Sequence, residues 1–293
     1  MRICHIISGD LWAGAEVVSY RLMEGLKNFP DIELSAIVFN EGKLAEAIRN
    51  LPIPVTIVDE KRRNFLQLIG MVRKIIEKTA PDVIHSHRLK ENVLSYFSSK
   101  FDKRIQMVCT QHGMPEPLGS SFKMVKSSLL SRYQYHLLSK YFKFIVVVSE
   151  DIRKTFVEKL GFQVDKIMLV HNGTEIPKID NLIKNQGEFV IGSAGRLYPV
   201  KGYPLMVEIA KDVLSQTNGI RFELAGDGPE KDTIISLIRK YNIENSFILK
   251  GFMDDMTSYY QGLDLYINTS LHEGLPLGII EAMSHGLPVI APN

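Results

Sequence analysis

The chain has 293 residues, 45% of them hydrophobic and 23% charged, which suits two ordinary globular domains and argues against disorder or a fibrous protein. Its longest strongly apolar run, FIVVV at 144–148, is far below a membrane-spanning length of about 20 residues. A net charge of +2 without a continuous basic stripe argues against nucleic acid as a partner.

The N-terminus, MRICHIISGDLWAGAE, reads as a first strand feeding a loop, too short for the apolar core of a signal peptide. Beyond it, β-rich runs alternate with helix-period segments. RICHIIS precedes a helix near Val17–Asn28, ELSAIVF precedes 42–50, and PVTIVD precedes Phe65–Lys78. DVIHSH, QMVCTQH and FIVVVS follow, each with helical sequence after it. A second series begins after HNGTEIP. It runs EFVIGSAG and a helix over 202–217, IRFELAG and a helix over 229–241, then SFILKG and a short helix near 253–262. LDLYINT, a helix over 276–285 and PVIA close the chain. This alternation predicts α/β architecture with parallel sheets, whose burial on both faces explains the unbroken apolar strands.

The polar stretch 177–187 (PKIDNLIKNQG) is the expected linker between two Rossmann-like domains, 1–176 and 177–293. The halves differ in charge: 25 Lys/Arg against 19 Asp/Glu up to Ile176 (+6), and 10 against 14 after it (−4). Such polarity suggests different partners for the two halves. Cys4 and Cys109 lie in strand-like runs and read as buried free thiols of a reducing compartment, a disulfide being the less supported alternative. The expected location is cytoplasmic.

In parallel sheets ligands sit beyond the carboxyl ends of strands, and the notable motifs lie there. HEGLPLGIIEAMSHG follows LDLYINTS. Pro276 suits a helix start and Gly286 a left-handed cap. Glu273 stands just ahead of that helix and Glu281 about 7 Å into it. Amides of Leu275, Leu277 and Gly278 there suit an anion, while the two carboxylates suit hydroxyl groups at either end of a diphosphate ligand. Taken alone, the same acids also fit a solvated helix start. GSAGRLYPVKG (192–202) places Arg196 and Lys201 after Gly195, two cations among glycines that suit a diphosphate without being a Walker loop. Gly14, in GDLWAGAE, marks a second helix start near which phosphate could approach. His85 and His87 end a strand and His112 ends another. No acid or cysteine nearby completes a metal set, so a hydrogen bond from His87 to a sugar hydroxyl is the better use, and for His85 a buried strand histidine. No acidic residue occurs from Pro117 to Ser149. The helix there carries Lys123, Lys126 and Arg132, and reads either as an ordinary packed helix or as one lying on an anionic membrane surface.

Together, AGAE, HSH, TQHG, VHNGTE, GRLYPVKG, LAGDGPE, LKGF and EGLPLGIIEAMSHGLPVIA resemble, in order and over essentially the whole chain, glycosyltransferase family 4, retaining enzymes of the GT-B fold. The resemblance implies two Rossmann-like domains facing a cleft, and transfer of a sugar from a nucleotide-diphosphate sugar to an acceptor hydroxyl in polysaccharide, lipopolysaccharide or glycolipid biosynthesis. It implies that Arg196 and Lys201 bind the diphosphate, Glu281 the ribose and Glu273 the transferred sugar. Leu275 to Leu277 would help hold phosphates or sugar, Gly14 would sit beside the diphosphate or acceptor, and His87 would contact the sugar near the reacting carbon, His112 more weakly. No metal or other cofactor is required by this scheme. A nucleotide sugar, a glycan or lipid-linked acceptor and an anionic membrane surface are the expected partners, with a peripheral place on the inner face of the membrane. Ala13 departs from a frequent glycine. In the family further strands and helices follow LPVIAPN, so the expectation is a chain that stops within its second domain. A sugar-nucleotide epimerase of the same architecture, or a non-catalytic binding protein, stays open at this point.

Overall fold

The computed structural model describes residues 1–9, 12–100, 102–113, 121–177 and 187–292, and of 121–130 the backbone. The expected linker, residues 178–186 in particular, lies outside them. The chain divides into two compact units, Met1–Asn172 and Gly173–Asn293.

Unit 1 runs β1 (Arg2–Ser8), α1 (Gly14–Leu26), β2 (Glu33–Phe39), α2 (Lys43–Arg49), β3 (Val55–Val58), α3 (Phe65–Thr79), β4 (Val83–Ser86), α4 (Leu89–Ser99), β5 (Gln106–Gln111), α5 (Ser121–Tyr141), β6 (Phe144–Val147), α6 (Glu150–Lys154) and β7 (Ile167–Leu169). Its seven strands lie in the order β3-β2-β1-β4-β5-β6-β7, every pairing parallel. Parallel strands need a crossover, and helices supply it. Helix α3 shows how an apolar face meets the sheet. In α3 the i, i+4, i+8 residues Leu68, Val72 and Ile76 are buried, each contributing about 1.5–3 kcal/mol. Asn64 caps that helix: its side chain accepts from the Gln67 amide while the Gln67 side chain accepts from the Asn64 amide. Ala80 ends it in the left-handed region, φ 42°. Cys4 and Cys109 are buried free thiols.

Unit 2 runs β8 (Phe189–Ala194), α7 (Tyr203–Leu214), β9 (Ile220–Ala225), α8 (Lys231–Lys240), β10 (Phe247–Gly251), α9 (Met256–Gln261), β11 (Leu265–Ile267), α10 (Leu277–Ser284) and β12 (Val289–Ile290). The strand order is β10-β9-β8-β11-β12, again all parallel. Its core joins Met206, Val207 and Ala210 of α7 to Phe222 and Leu224 of β9 and Ile234 of α8.

In both sheets the strand order reverses direction once, between β1 and β4 and between β8 and β11. The loops leaving such a pair part to opposite faces and open a crevice at the carboxyl edge, where α/β proteins hold ligands. Gly14 and His87 follow β1 and β4. Gly195 and Glu273 follow β8 and β11.

Candidate functional site

In unit 2 the loops beyond β8, β9 and β11 are held by backbone packed against backbone. Gly226 has φ 142°, and a Cβ there would lie 1.9 Å from the Gly195 carbonyl oxygen. Gly202 has φ 63°, and its Cβ would meet the Thr269 oxygen at 2.2 Å. Side chains are excluded at both positions. The Gly195 amide donates to Ala225 and the Leu197 amide to Asp227.

Onto this frame the polar groups converge. Lys201 donates to Glu273, which also accepts from Ser270 Oγ at 2.8 Å. Both members of the ion pair are mostly buried, with 22% and 24% of their side chains exposed. The Tyr266 hydroxyl bridges both backbone groups of Ala194, and a Cβ on Gly278 would fall 2.3 Å from it, which fixes α10 against the end of β8. Burial pushes the Tyr266 hydroxyl up to about 12, with Glu281 and Glu273 adding to the shift, so it stays a donor at neutral pH. Tyr260 donates to Glu281 at 3.0 Å. Its own hydroxyl is held far above the ordinary range by burial, then by Tyr266 and Glu281.

Pro276 is the N-cap of α10 rather than its first residue, and Glu281 is the fifth residue of the helix. Leu275 lies just before the cap and Leu277 opens the helix, whose first-turn amides have no partner within it. Arg196 follows Gly195, with its guanidinium 4.9 Å from the Tyr198 ring. The structure therefore gathers Gly195, Lys201, Glu273 and α10 with Glu281. Arg196 sits in the same loop and stacks on tyrosine. Tyr260 and Tyr266 were not anticipated from the sequence. Their signal was an aromatic at the carboxyl end of β11 and another on the helix before it.

In unit 1, α1 starts at Gly14, three residues earlier than its apolar period suggests. Ala13 is extended (φ −136°, ψ −176°), a conformation any residue adopts, so alanine costs nothing there. Its amide donates to Glu16 at 3.2 Å. Glu16 is fully buried and pairs with Arg88, which follows His87.

Four imidazoles meet between β1, β4 and β5. His5 and His85 stand opposite each other in the register. His87 Nε2 lies 3.2 Å from His5 Nδ1, and His87 Nδ1 lies 3.0 Å from Ser19 Oγ and 3.3 Å from His112 Nε2. His85 Nε2 meets Thr110 Oγ1 at 2.8 Å. Burial lowers all four below the ordinary imidazole range, His85 to about 4 and His112 to about 3, with neighbouring imidazoles adding to the shift at His5, His87 and His112. The neutral rings thus form a hydrogen-bonded stack with both nitrogens of His87 engaged. His5 is the member that sequence reading passed over.

Ligand-capable atoms of His5, His85 and His87 lie within 4.8 Å of one another. A tetrahedral ion with bonds of about 2.0–2.1 Å separates its ligand nitrogens by roughly 3.3 Å. The His85 and His87 rings stack at 4.4 Å between centroids, a packing geometry rather than a convergent one. Of the basic helix, Lys123 and Lys126 carry side chains outside the described residues, and Arg132 is exposed. Among the described residues no helix is long and apolar enough to cross a membrane.

Two doubly wound units with parallel sheets and loop-built sites at their switch points define an α/β protein of the GT-B class. A family model described as Glycosyltransferase Family 4 matches residues 12–176, more than half of the chain, and one described as Glycosyl transferases group 1 matches 176–293. The chain belongs to glycosyltransferase family 4. Among its relatives, the poly(ribitol-phosphate) alpha-N-acetylglucosaminyltransferase of Staphylococcus aureus is 32% identical over 127 residues, 43% of this chain and 25% of that protein. The UDP-Gal:alpha-D-GlcNAc-diphosphoundecaprenol alpha-1,3-galactosyltransferase of Escherichia coli is 24% identical over 291 residues, 92% of this chain and 74% of that one. The chain therefore spans a quarter of the first relative's length and about three quarters of the second's. A crystal structure of Anabaena HepE in complex with UDP and glucose shares the fold, with a TM-score of 0.81 at 21% identity, covering 99% of this chain and 80% of that one.

Proposed function

We propose that this chain transfers a sugar from a nucleotide-diphosphate sugar to an acceptor hydroxyl with retention of the anomeric configuration. The observation that carries this reading is the Lys201–Glu273 pair set at the β8/β11 switch point beside Gly195 and the start of α10. A cation and a carboxylate there fit the two ends of a sugar–phosphate bond. Lys201 and Arg196 would stabilise negative charge as it develops on the leaving diphosphate. In the ground state Lys201 is neutralised by Glu273, which would turn to the sugar hydroxyls when the donor arrives. Glu281, held by Tyr260, would grip the ribose. The backbone from Leu275 to Leu277 would meet phosphate or sugar.

Retention needs attack from the face the diphosphate leaves. The acceptor oxygen bonds to the anomeric carbon, the carbon–oxygen bond to phosphate breaks, and the departing phosphate oxygen takes the acceptor's proton. Cationic side chains supply the charge stabilisation in this scheme, which uses no metal.

Unit 1, with 25 Lys/Arg against 18 Asp/Glu (+7), would take the acceptor. Gly14 would lie beside diphosphate or acceptor. His87, fixed by Ser19, His5 and His112, would present its ring or that of His112 to the sugar. The galactosyltransferase and N-acetylglucosaminyltransferase relatives support a glycan or lipid-linked acceptor, and UDP in HepE makes a uridine donor the first to try. Transfer from radiolabelled UDP-sugars to a panel of lipid-linked and polyol-phosphate acceptors tests the proposal. Lys201→Ala is expected to lower kcat about 100-fold or more, in the range of losing one charge-stabilising group. Donor hydrolysis or epimerisation without any transfer refutes it.

A further inference from the structure

Three of the four imidazoles form a row. His87 Nε2 lies 3.2 Å from His5 Nδ1, and His87 Nδ1 lies 3.3 Å from His112 Nε2. The ring centroids of these two pairs are 5.5 and 5.6 Å apart, at interplanar angles of 18° and 25°. Nitrogens so much closer than centroids place the rings edge to edge and near one plane. There the N–H of one ring points at the lone pair of the next. At either end of the row a buried nitrogen, His5 Nε2 and His112 Nδ1, has no hydrogen-bond partner among the described residues.

A neutral imidazole carries one N–H and one acceptor nitrogen, so each ring's tautomer sets that of its neighbour. Two arrangements satisfy both contacts. With every proton on Nδ1, His5 donates to His87, His87 donates to His112, and His112 keeps an N–H without a partner. With every proton on Nε2, the donors run the other way and the stranded N–H belongs to His5. Ser19 decides between them. Its hydroxyl donates to the Ala15 carbonyl at 2.7 Å. Lying 3.0 Å from His87 Nδ1, the Ser19 oxygen is left to accept, and His87 Nδ1 holds the proton. This arrangement also strands its N–H at the better end. His5 is fully buried in β1, whereas His112 lies just past the end of β5 and is half-buried. A ligand at the carboxyl edge can satisfy His112 and not His5, and a buried donor left unsatisfied is costly.

We propose that His5 is a positioning residue: its Nδ1–H, together with Ser19, holds His87 and through it His112 in the Nδ1–H tautomer. His112 then offers an N–H, and no lone pair, at the carboxyl edge of unit 1. It can donate to an oxygen of the sugar or the acceptor, and it cannot take a proton from the acceptor hydroxyl. This ligand role rests on the proposed transfer reaction and agrees with the departing phosphate oxygen receiving that proton. The tautomers themselves do not depend on it.

The experiment is long-range proton–nitrogen correlation NMR of the full chain, nitrogen-labelled at its eight histidines, at pH 7 without sugar or nucleotide. Single substitutions His87→Gln and His112→Gln assign the signals. An unrestrained neutral imidazole favours the Nε2–H form; His5, His87 and His112 are all expected as Nδ1–H instead. His5→Leu is expected to return His112 to a majority of Nε2–H. His5→Asn, whose amide N–H takes the place of the lost Nδ1–H, is expected to keep it unchanged. Ser19→Ala, an exchange that a helix tolerates, is expected to act as His5→Leu does and serves if His5→Leu does not fold. A wild-type His112 protonated on Nε2 overturns the proposal, as does a His112 tautomer indifferent to both His5→Leu and Ser19→Ala. In a preparation that transfers sugar, His5→Leu is expected to lower kcat roughly tenfold at unchanged donor KM, the effect of one hydrogen bond, and His5→Asn to restore it. Undiminished turnover in His5→Leu also overturns the proposal. Absence of any transfer counts against the proposed reaction alone, since the spectra are read without it.

Discussion

Lowering the pH from 7 to 5 is expected to destabilise unit 1 through its buried imidazoles. A histidine whose folded pKa lies below its unfolded value of about 6.5 takes up a proton more readily once the chain opens. Its stabilising effect is therefore intact above about pH 6.5 and is lost as pH falls towards the folded value. For His85 that value is about 4 and for His112 about 3. At pH 5 the unfolded state is favoured by about 1.5 pKa units at each site, or about 2 kcal/mol apiece at 1.36 kcal/mol per unit. Two such groups remove about 4 kcal/mol, a large share of a typical stability of 5–15 kcal/mol. His5 and His87 shift in the same direction. Exposed carboxylates add little in this window: Glu41, Asp82, Asp102 and Asp255 are held low by hydrogen bonds from Arg49, Arg2, Arg104 and Ser258, and that stabilisation is lost mainly below about pH 4.5. Urea unfolding at pH 7, 6 and 5, followed by the fluorescence of Trp12, the single tryptophan, reads unit 1 alone. His85→Asn and His112→Asn should each flatten the profile by about 2 kcal/mol. A wild-type stability that stays level between pH 7 and 5 would refute the reasoning, as would variants that keep the full loss.

Two glycine substitutions separate packing from backbone strain. Gly226→Ala would place a methyl 1.9 Å from the Gly195 carbonyl oxygen at φ 142°. It is expected to cost unit 2 more than about 3 kcal/mol and to remove nucleotide protection in thermal unfolding. Gly286→Ala, at φ 75° with open space around it, should cost only about 1 kcal/mol. Equal midpoints for the two variants would show that the loop contact is not what holds the site.

The order of strands and helices was legible because parallel strands buried on both faces read as unbroken apolar runs, and helices such as α3 and α7 between them carry one apolar face. The start of α1 was not, because Ala13 offers no capping side chain and the cap comes from Glu16 instead. Glycine and proline marked both ends of α10 within a residue. The candidate site was legible as residue types beyond strand ends. The Lys201–Glu273 contact spans 72 residues and follows only from β8 and β11 being neighbours. His5 escaped notice for the same reason: nothing in RICHIIS shows that β4 will lie beside it in register.

The central claim is that the β8/β11 switch point of unit 2 grips a nucleoside diphosphate. Calorimetric titration of the purified chain with UDP, repeated with Arg196→Ala and Glu281→Ala, measures this directly. Saturable binding by the wild type is expected, weakened roughly tenfold to a hundredfold in each variant, the effect of one hydrogen bond to a charged group. A wild type that takes up no nucleoside diphosphate, or variants that bind as tightly as it does, would contradict the account.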